Sequence, residues 1–336
     1  MALETSCDET AVALLDFKSE LDFEICNEQV LSQAFEHSKY GGIVPEIASR
    51  MHVEYISTLV SKCLDNVNYQ SIDAIAVTQT PGLVGALLVG LNYAKSFAYA
   101  VDKPLITVNH IEGHICSLYI NNKNVKFPFI CLVVSGGHTL IIEVQSFSLY
   151  KIIATTVDDA AGEVFDKVAR LLGLPYPGGP AIQECAKYGN TLAFNFPRVK
   201  IKNSMNFSFS GVKTAVINTV HRLVQQKHEI NKNDVAASFQ QAVCDVLTNR
   251  LVEIAHKKGI TRIGICGGVA CNNELQSELS EKCNKNNLEL YMPVNKYTGD
   301  NAVMIGIRGY YDYLYNRYAN LDVNARPNIL QNSSQV

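Results

Sequence analysis

The residues best suited to chemistry lie in His110-Ile-Glu-Gly-His114 and Ser135-Gly-Gly-His-Thr139. Two histidines four apart fall on one face of a helix, at the spacing a metal ion needs. The second motif follows Phe129-Ile-Cys-Leu-Val-Val134, an apolar run that reads as a buried strand. A strand ending in Ser-Gly-Gly is a place for backbone N–H groups to meet a phosphate. A zinc-peptidase motif would set a glutamate directly after the first histidine. Here Glu112 comes two residues later, about 200° around a helix, and so points away from the histidine face.

Two histidines need a further ligand. Asp300, in Tyr297-Thr-Gly-Asp-Asn301, is the candidate, since a loop carboxylate beside glycine can reach across to them. An aspartate directly before an apolar helix also makes a good N-cap. A two-histidine, one-carboxylate set suits Fe(II) or Zn(II) and leaves open positions. Gly267-Gly268 and Pro177-Gly-Gly-Pro180 repeat the glycine-turn pattern, and together the three turns suggest a nucleotide site without a P-loop. Asn272 is suited either to a base or ribose contact or to a turn. Asp8 and Glu9 occupy the first polar turn. Asp159, Glu163 and Asp166 are spaced to share one helical face, as an exposed acidic face or around a cation. Arg198, Lys200, Lys202, Phe207, Phe209 and Lys213 interleave charge with aromatics, as an RNA contact or as a solvated loop anchored in the core.

The elements that must carry these groups alternate short strands with helices, the pattern of an α/β fold. Strands are expected over Ala11–Phe17, Ile72–Thr78, Leu105–Val108, 129–134, 140–144 and Ile260–Cys266. Helices are expected over Val44–Leu64, from Gly82 onward, over Val235–His256 and over Asp300–Tyr315. In the first of these, Ile47, Met51, Tyr55, Ile56 and Leu59 mark the buried face. Gly173–Pro180, with three glycines and three prolines, reads as an ordered loop. The last ten residues carry few apolar groups and are expected to fray.

At 336 residues, 47% hydrophobic and 18% charged, the chain suits two globular domains. The polar stretch Asn121–Phe127 marks a boundary. Residues 1–122 form an N-terminal lobe, completed by the C-terminal helix at about 301–325, and residues 123–300 form a C-terminal lobe. The net charge of −3 supplies no basic field for nucleic acid. Ten scattered cysteines without a C-x-x-C read as free thiols in a reducing cytoplasm. Met1–Glu4 run straight into a polar motif, and the apolar run Gly82–Leu91 is short for a bilayer. A cytoplasmic protein with no membrane partner is the expectation.

Taken in order, a set of motifs resembles one family. They are Glu4-Thr-Ser-Cys-Asp-Glu-Thr10, Tyr40-Gly-Gly-Ile-Val-Pro-Glu-Ile-Ala-Ser-Arg50, Pro81-Gly-Leu-Val-Gly85 and the two histidine motifs, then Phe165-Asp-Lys167, Ser208-Phe-Ser-Gly211, Gly267-Gly-Val-Ala-Cys-Asn272 and Thr298-Gly-Asp-Asn301. The chain resembles the tRNA N6-adenosine threonylcarbamoyltransferases over about residues 3–327. The resemblance implies a two-lobed, actin-like and sugar-kinase-like (ASKHA) ATPase fold with a central interlobe cleft. It implies acyl transfer of threonylcarbamoyl from threonylcarbamoyl-AMP to N6 of adenosine-37 in tRNAs reading ANN codons, with AMP released. By motif position, His110, His114 and Asp300 would hold one divalent metal per subunit, Fe(2+) in preference to Zn(2+). Val133, Val134, Ser135, Gly136, Gly137, Asp166, Gly179 and Asn272 would bind the adenylate, and Asp8 and Glu9 are further catalytic candidates. Gln183 stands where many members have aspartate. The implied partners are tRNA, a smaller TsaB-like paralogue and a small TsaE-like ATPase, with residues 44–64 and 82–100 as candidate docking helices.

Overall fold

The computed structural model describes residues 1–328, which form two compact units. The first comprises Met1–Val125, Ser146–Tyr150 and the chain from Pro293; the second comprises Lys126–Gln145 and Lys151–Met292. Residues 293–300, expected with the C-terminal lobe, thus pack with the first unit, because they lead directly into its last helix. The expected fraying of the C-terminus concerns residues mostly outside those described.

The first unit builds a sheet from β1 (Ala2–Glu4), β2 (Glu9–Phe17), β3 (Phe23–Ser32), β4 (Ile75–Thr80) and β5 (Leu105–Asn109), in the order β3-β2-β1-β4-β5. The three-residue β1 is the central strand and is buried throughout. It pairs antiparallel with β2, Leu3 opposite Val12, and parallel with β4, Leu3 opposite Val77. Helices α1 (Ala34–Ser38), α2 (Pro45–Cys63), α3 (Val84–Val101) and α4 (His110–Cys116) follow. On α2 the buried face is Ala48, His52, Ile56, Leu59, Val60 and Cys63, so the expected stripe is rotated and Ile47, Met51 and Tyr55 only flank it. His52 takes a core position because both ring nitrogens are satisfied, Nδ1 by Thr10 Oγ1 at 2.7 Å and Nε2 by the Cys7 carbonyl at 3.0 Å. By length and composition α3 is apolar enough to cross a membrane. Its Leu91, Ala94 and Ala98 pack instead into the core with Leu3, Val77 and Leu105.

The second unit repeats the topology. Strands β6 (Phe129–Val134), β7 (Thr139–Ser146), β8 (Leu149–Thr155), β9 (Arg262–Cys266) and β10 (Glu289–Tyr291) lie in the order β10-β9-β6-β7-β8. Its first strand is again central, antiparallel to the second and parallel to the fourth. This is the repeated sheet of the actin-like, sugar-kinase-like α/β fold. Around it stand α5 (Ala161–Leu171), α6 (Gly178–Ala186), α7 (Ser210–Gln225), α8 (Lys232–Lys258) and α9 (Asn273–Asn286). The 27-residue α8 is capped at its start by Asn231 and ends at Gly259 in the left-handed conformation. Gly178-Gly-Pro180, expected as loop, is the first turn of α6. Proline is tolerated there because the first N–H groups of a helix have no intrahelical partner.

The chain then returns to the first unit with α10 (Ala302–Leu314). Gly309 lets this helix approach the sheet, since a Cβ there would lie 2.6 Å from the Ala76 Cβ. In the second unit Gly267 turns the chain off β9 at φ +94°, where a Cβ would lie 2.4 Å from the Val134 carbonyl oxygen. Gly267→Ala should therefore cost about 2–3 kcal/mol through backbone strain and overpacking, read as a lower midpoint in urea unfolding.

Candidate metal centre

The buried strand β5 ends at Asn109, whose side chain accepts from the N–H groups of Ile111 (2.9 Å) and Glu112 (3.4 Å) and so starts α4 at His110. Every residue of α4 is buried. The two imidazoles lie one turn apart with ring centroids separated by 4.6 Å at an interplanar angle of 76°. Asp300 completes the group. Its Oδ1 stands 3.5 Å from His110 Nε2 and 3.2 Å from His114 Nε2. One ligand atom from each of the three residues fits within 4.8 Å, the span of a single coordination sphere.

Asp300 does not cap α10. Asn301 does, accepting from Met304 N–H at 2.9 Å, which leaves the aspartate to face the histidines. The capping role considered for Asp300 thus belongs to its neighbour.

The residues fit a metal. Among the described residues both ring nitrogens of His114 are buried without a hydrogen-bond partner, and the contact of Nε2 with Asp300 is close but not aligned as a hydrogen bond. A cation is the group that would satisfy a neutral imidazole nitrogen facing a carboxylate. The two rings respond oppositely to their surroundings. Burial would lower the pKa of His110, but Asp300 and Glu4 outweigh it and hold it up to about 9. Burial and the charge of His110 push His114 down. Burial followed by the charge of Asp300 raises Asp8, and raises Glu9 well above its ordinary value, so these two lie within the field of the centre.

Glu4 is a residue of this centre that sequence reasoning did not single out. Fully buried at the end of β1, it accepts from His110 Nδ1 at 3.0 Å. The available signal was a lone acid closing an otherwise apolar strand. Glu112, by contrast, turns away from the histidines as its spacing requires. Its Oε2 accepts from Arg308 Nε on α10 at 2.7 Å, and Arg308 also pairs with Asp312 at 3.0 Å.

The remaining candidates belong to the second unit. Ser135–Gly137 leave β6 as a tight turn, with Ser135 N–H donating to the His138 carbonyl at 2.9 Å. Gly136, Gly137 and Gly179 have nothing within 4 Å of where a Cβ would project. Val133 and Val134 are the buried last residues of β6. Asp166 Oδ1 accepts from Gly178 N–H at 2.7 Å, tying α5 to the start of α6. Asn272 is turned inward, capping α9 through Leu275 N–H (3.1 Å) and donating to Gln240 (2.8 Å). Gln183 likewise accepts from Asn273 N–H at 2.7 Å.

The acidic stretch is paired. Asp159 precedes α5 and binds Lys167 at 2.8 Å together with Lys213, while Glu163 binds the same Lys167 at 2.8 Å. These lysines neutralise the charge for which a cation was considered. The aromatic-basic segment also resolves to its structural alternative. Phe207 and Phe209 are core residues, Arg198 pairs with Asp245 at 2.8 Å and Lys213 is held by Asp159. Its Lys200 and Lys202 are exposed.

Repeated sheet topology and a His–His–carboxylate group define the chain as a metal-site member of the actin-like, sugar-kinase-like class. It belongs to the tRNA N6-adenosine threonylcarbamoyltransferase family, whose profile matches residues 24–307. Proteins of that name from Clostridium botulinum (strain Hall) and Clostridium perfringens (strain SM101) are 48% and 47% identical over 332 residues. The alignments cover 98% of this chain and 96% and 97% of theirs. Among solved structures, the HypF of T. kodakarensis superposes with a TM-score of 0.59 at 17% identity, covering 94% of this chain and 47% of that one. Component A of (R)-2-hydroxyglutaryl-CoA dehydratase from Acidaminococcus fermentans gives 0.52 at 14%, covering 93% and 98%. At such identities the likeness is one of fold alone.

Two outcomes follow from this geometry. With its pKa near 9, His110 is protonated at pH 7.5 in the metal-free protein. Binding of a divalent metal should release about one proton, read by titration calorimetry in buffers of different ionisation enthalpy; zero release would contradict the ligand assignment. Arg308→Met should destabilise the fold by about 3–5 kcal/mol in urea unfolding, because it leaves Glu112 buried without its counter-charge and leaves Asp312 only the more distant Arg317 at 3.5 Å.

Proposed function

We propose that this chain transfers the threonylcarbamoyl group from threonylcarbamoyl-AMP to N6 of adenosine-37 in tRNAs reading ANN codons, releasing AMP. The observation that carries the reading is the convergence of His110, His114 and Asp300 in a chain of this family.

The donor is a mixed anhydride with a good leaving group. The exocyclic amine of adenine is a weak nucleophile because its lone pair is delocalised into the ring. Rate must therefore come from placing amine beside carbonyl and from stabilising the charge that develops. A divalent ion held by His110, His114 and Asp300, Fe(II) in preference to Zn(II), supplies Lewis-acid stabilisation of that charge. The amides of Gly136 and Gly137 hold the adenylate, with Val133, Val134, Ser135, Asp166, Gly179 and Asn272 completing its site. The open sides of Gly136, Gly137 and Gly179 support this role, since backbone without side chains can approach a phosphate closely. Asp8 and Glu9 are the side-chain candidates for taking the proton of the attacking amine, with a water at the metal as the alternative. Their raised affinity for protons brings them nearer to neutrality, where a general base works best.

A cytoplasmic TsaB-like paralogue and a TsaE-like ATPase are the proposed partners, beside tRNA itself. The exposed Phe35, Tyr40, Ile43 and Val53 around α1 and α2 support a protein-binding surface on the first unit. The net charge of −3 supports weak binding of tRNA by this chain alone.

The deciding experiment combines purified chain, threonylcarbamoyl-AMP and unmodified tRNA, with and without those partners, and analyses digested nucleosides by mass spectrometry. Threonylcarbamoyladenosine should appear, and should fall more than about 100-fold for Asp300→Ala or after chelation. Full-rate transfer by Asp300→Ala would overturn the role of the metal, and no product with partners present would overturn the function.

A further inference from the structure

We infer that Glu4 is the positioning residue of the metal centre, fixing the His110 ring with its proton on Nδ1 and Nε2 presented for coordination. This inference rests on the metal reading above.

Three donors converge on the buried Glu4 carboxylate. The Ser6 backbone N–H reaches Oε1 at 2.5 Å, Thr78 Oγ1 reaches Oε2 at 2.5 Å, and His110 Nδ1 lies 3.0 Å from the same Oε2. A backbone N–H can only donate, so Oε1 must accept. With Oε2 also an acceptor, Nδ1 must keep a proton, so the proton lost when the ring becomes neutral is the one on Nε2, the atom that faces Asp300, and the lone pair for a metal is exposed there. The Ser6 hydroxyl, 3.2 Å from Nδ1, could not decide this alone, because a hydroxyl serves either tautomer.

Only a carboxylate meets both demands. A glutamine would have one accepting end. With that end on Ser6 N–H, its amide would meet Nδ1 and favour the tautomer protonated on Nε2, which cannot ligate. Among the described residues, the ion-pair partner of Glu4 is His110. A fully buried carboxylate without lysine or arginine is costly unless its charge has a use. Raising the basicity of a metal-binding imidazole and locking its orientation is such a use.

The test measures Zn(II) affinity of the full chain by chelator competition for wild type, Glu4→Gln and Thr78→Val. It adds the visible spectrum of each Co(II)-saturated form and thermal unfolding of each metal-free form. Glu4→Gln should weaken Zn(II) binding about 10–100-fold and shift the Co(II) bands at saturation. Thr78→Val, which removes one anchor of the carboxylate but keeps its bond to His110, should weaken binding by less. Wild-type affinity in Glu4→Gln would overturn the inference. So would weakened affinity with an unchanged Co(II) spectrum, since the loss would then lie in folding and not in the orientation of His110. If Glu4→Gln fails to fold, unchanged affinity in Thr78→Val overturns it. A wild-type chain that binds no Zn(II) or Co(II) removes the metal reading itself, a separate outcome from failure of Glu4 alone.

Discussion

Because Glu112 and Arg308 are buried together, the register between α4 and α10 is held by charge as well as by shape. The bond joins the middle of the histidine helix to a point just over two turns beyond Asp300. Sliding α10 by one residue would swing Arg308 away from Glu112 and carry Asp300 off the imidazoles at the same time. The same pair sets the rotation of α4. With Glu112 committed to Arg308, His110 and His114 must lie on the other face. An interaction that takes no part in coordination thus decides where the ligands meet, and desolvation makes it unforgiving, since neither charge has water to fall back on.

The centre itself balances unlike tendencies. Burial favours neutral rings, while Asp300 and Glu4 favour a charged one. His110 follows the carboxylates and His114 follows burial. Without a metal, one proton therefore occupies the space between three potential ligands, and the net charge of the group stays low. A divalent ion held by His110, His114 and Asp300 would take the place of that proton.

The histidine pair and the glycine turns were legible in the sequence because each rests on local spacing, which the chain carries whatever its tertiary fold. The direction of Glu112 was legible for the same reason. What was not legible depended on distant neighbours or on a choice between adjacent residues. Asp300 and Asn301 are both competent helix caps, and only the aim of the aspartate toward α4 assigns the cap to Asn301. The acidic run looked like a cation site until Lys213 met Asp159 from 54 positions away. Glu4 meets His110 across a separation of 106 positions, which no periodicity reveals. The α2 stripe was misjudged because a histidine with both nitrogens satisfied packs like an apolar residue.

The repeated strand order gives each position in one unit a counterpart in the other. The turn after the central strand is Thr5-Ser-Cys-Asp8 in the first unit and Ser135-Gly-Gly-His138 in the second; the exit of the fourth strand is Pro81-Gly82 in one and Gly267-Gly268 in the other. From the same scaffold the two copies have specialised in opposite directions. One has filled its turn with hydroxyl, thiol and carboxylate side chains. The other has stripped its turn to bare amides suited to anions. A two-copy architecture can let one copy lose what the other keeps, and here each copy retains a chemistry that would be incompatible with the other's at the same position.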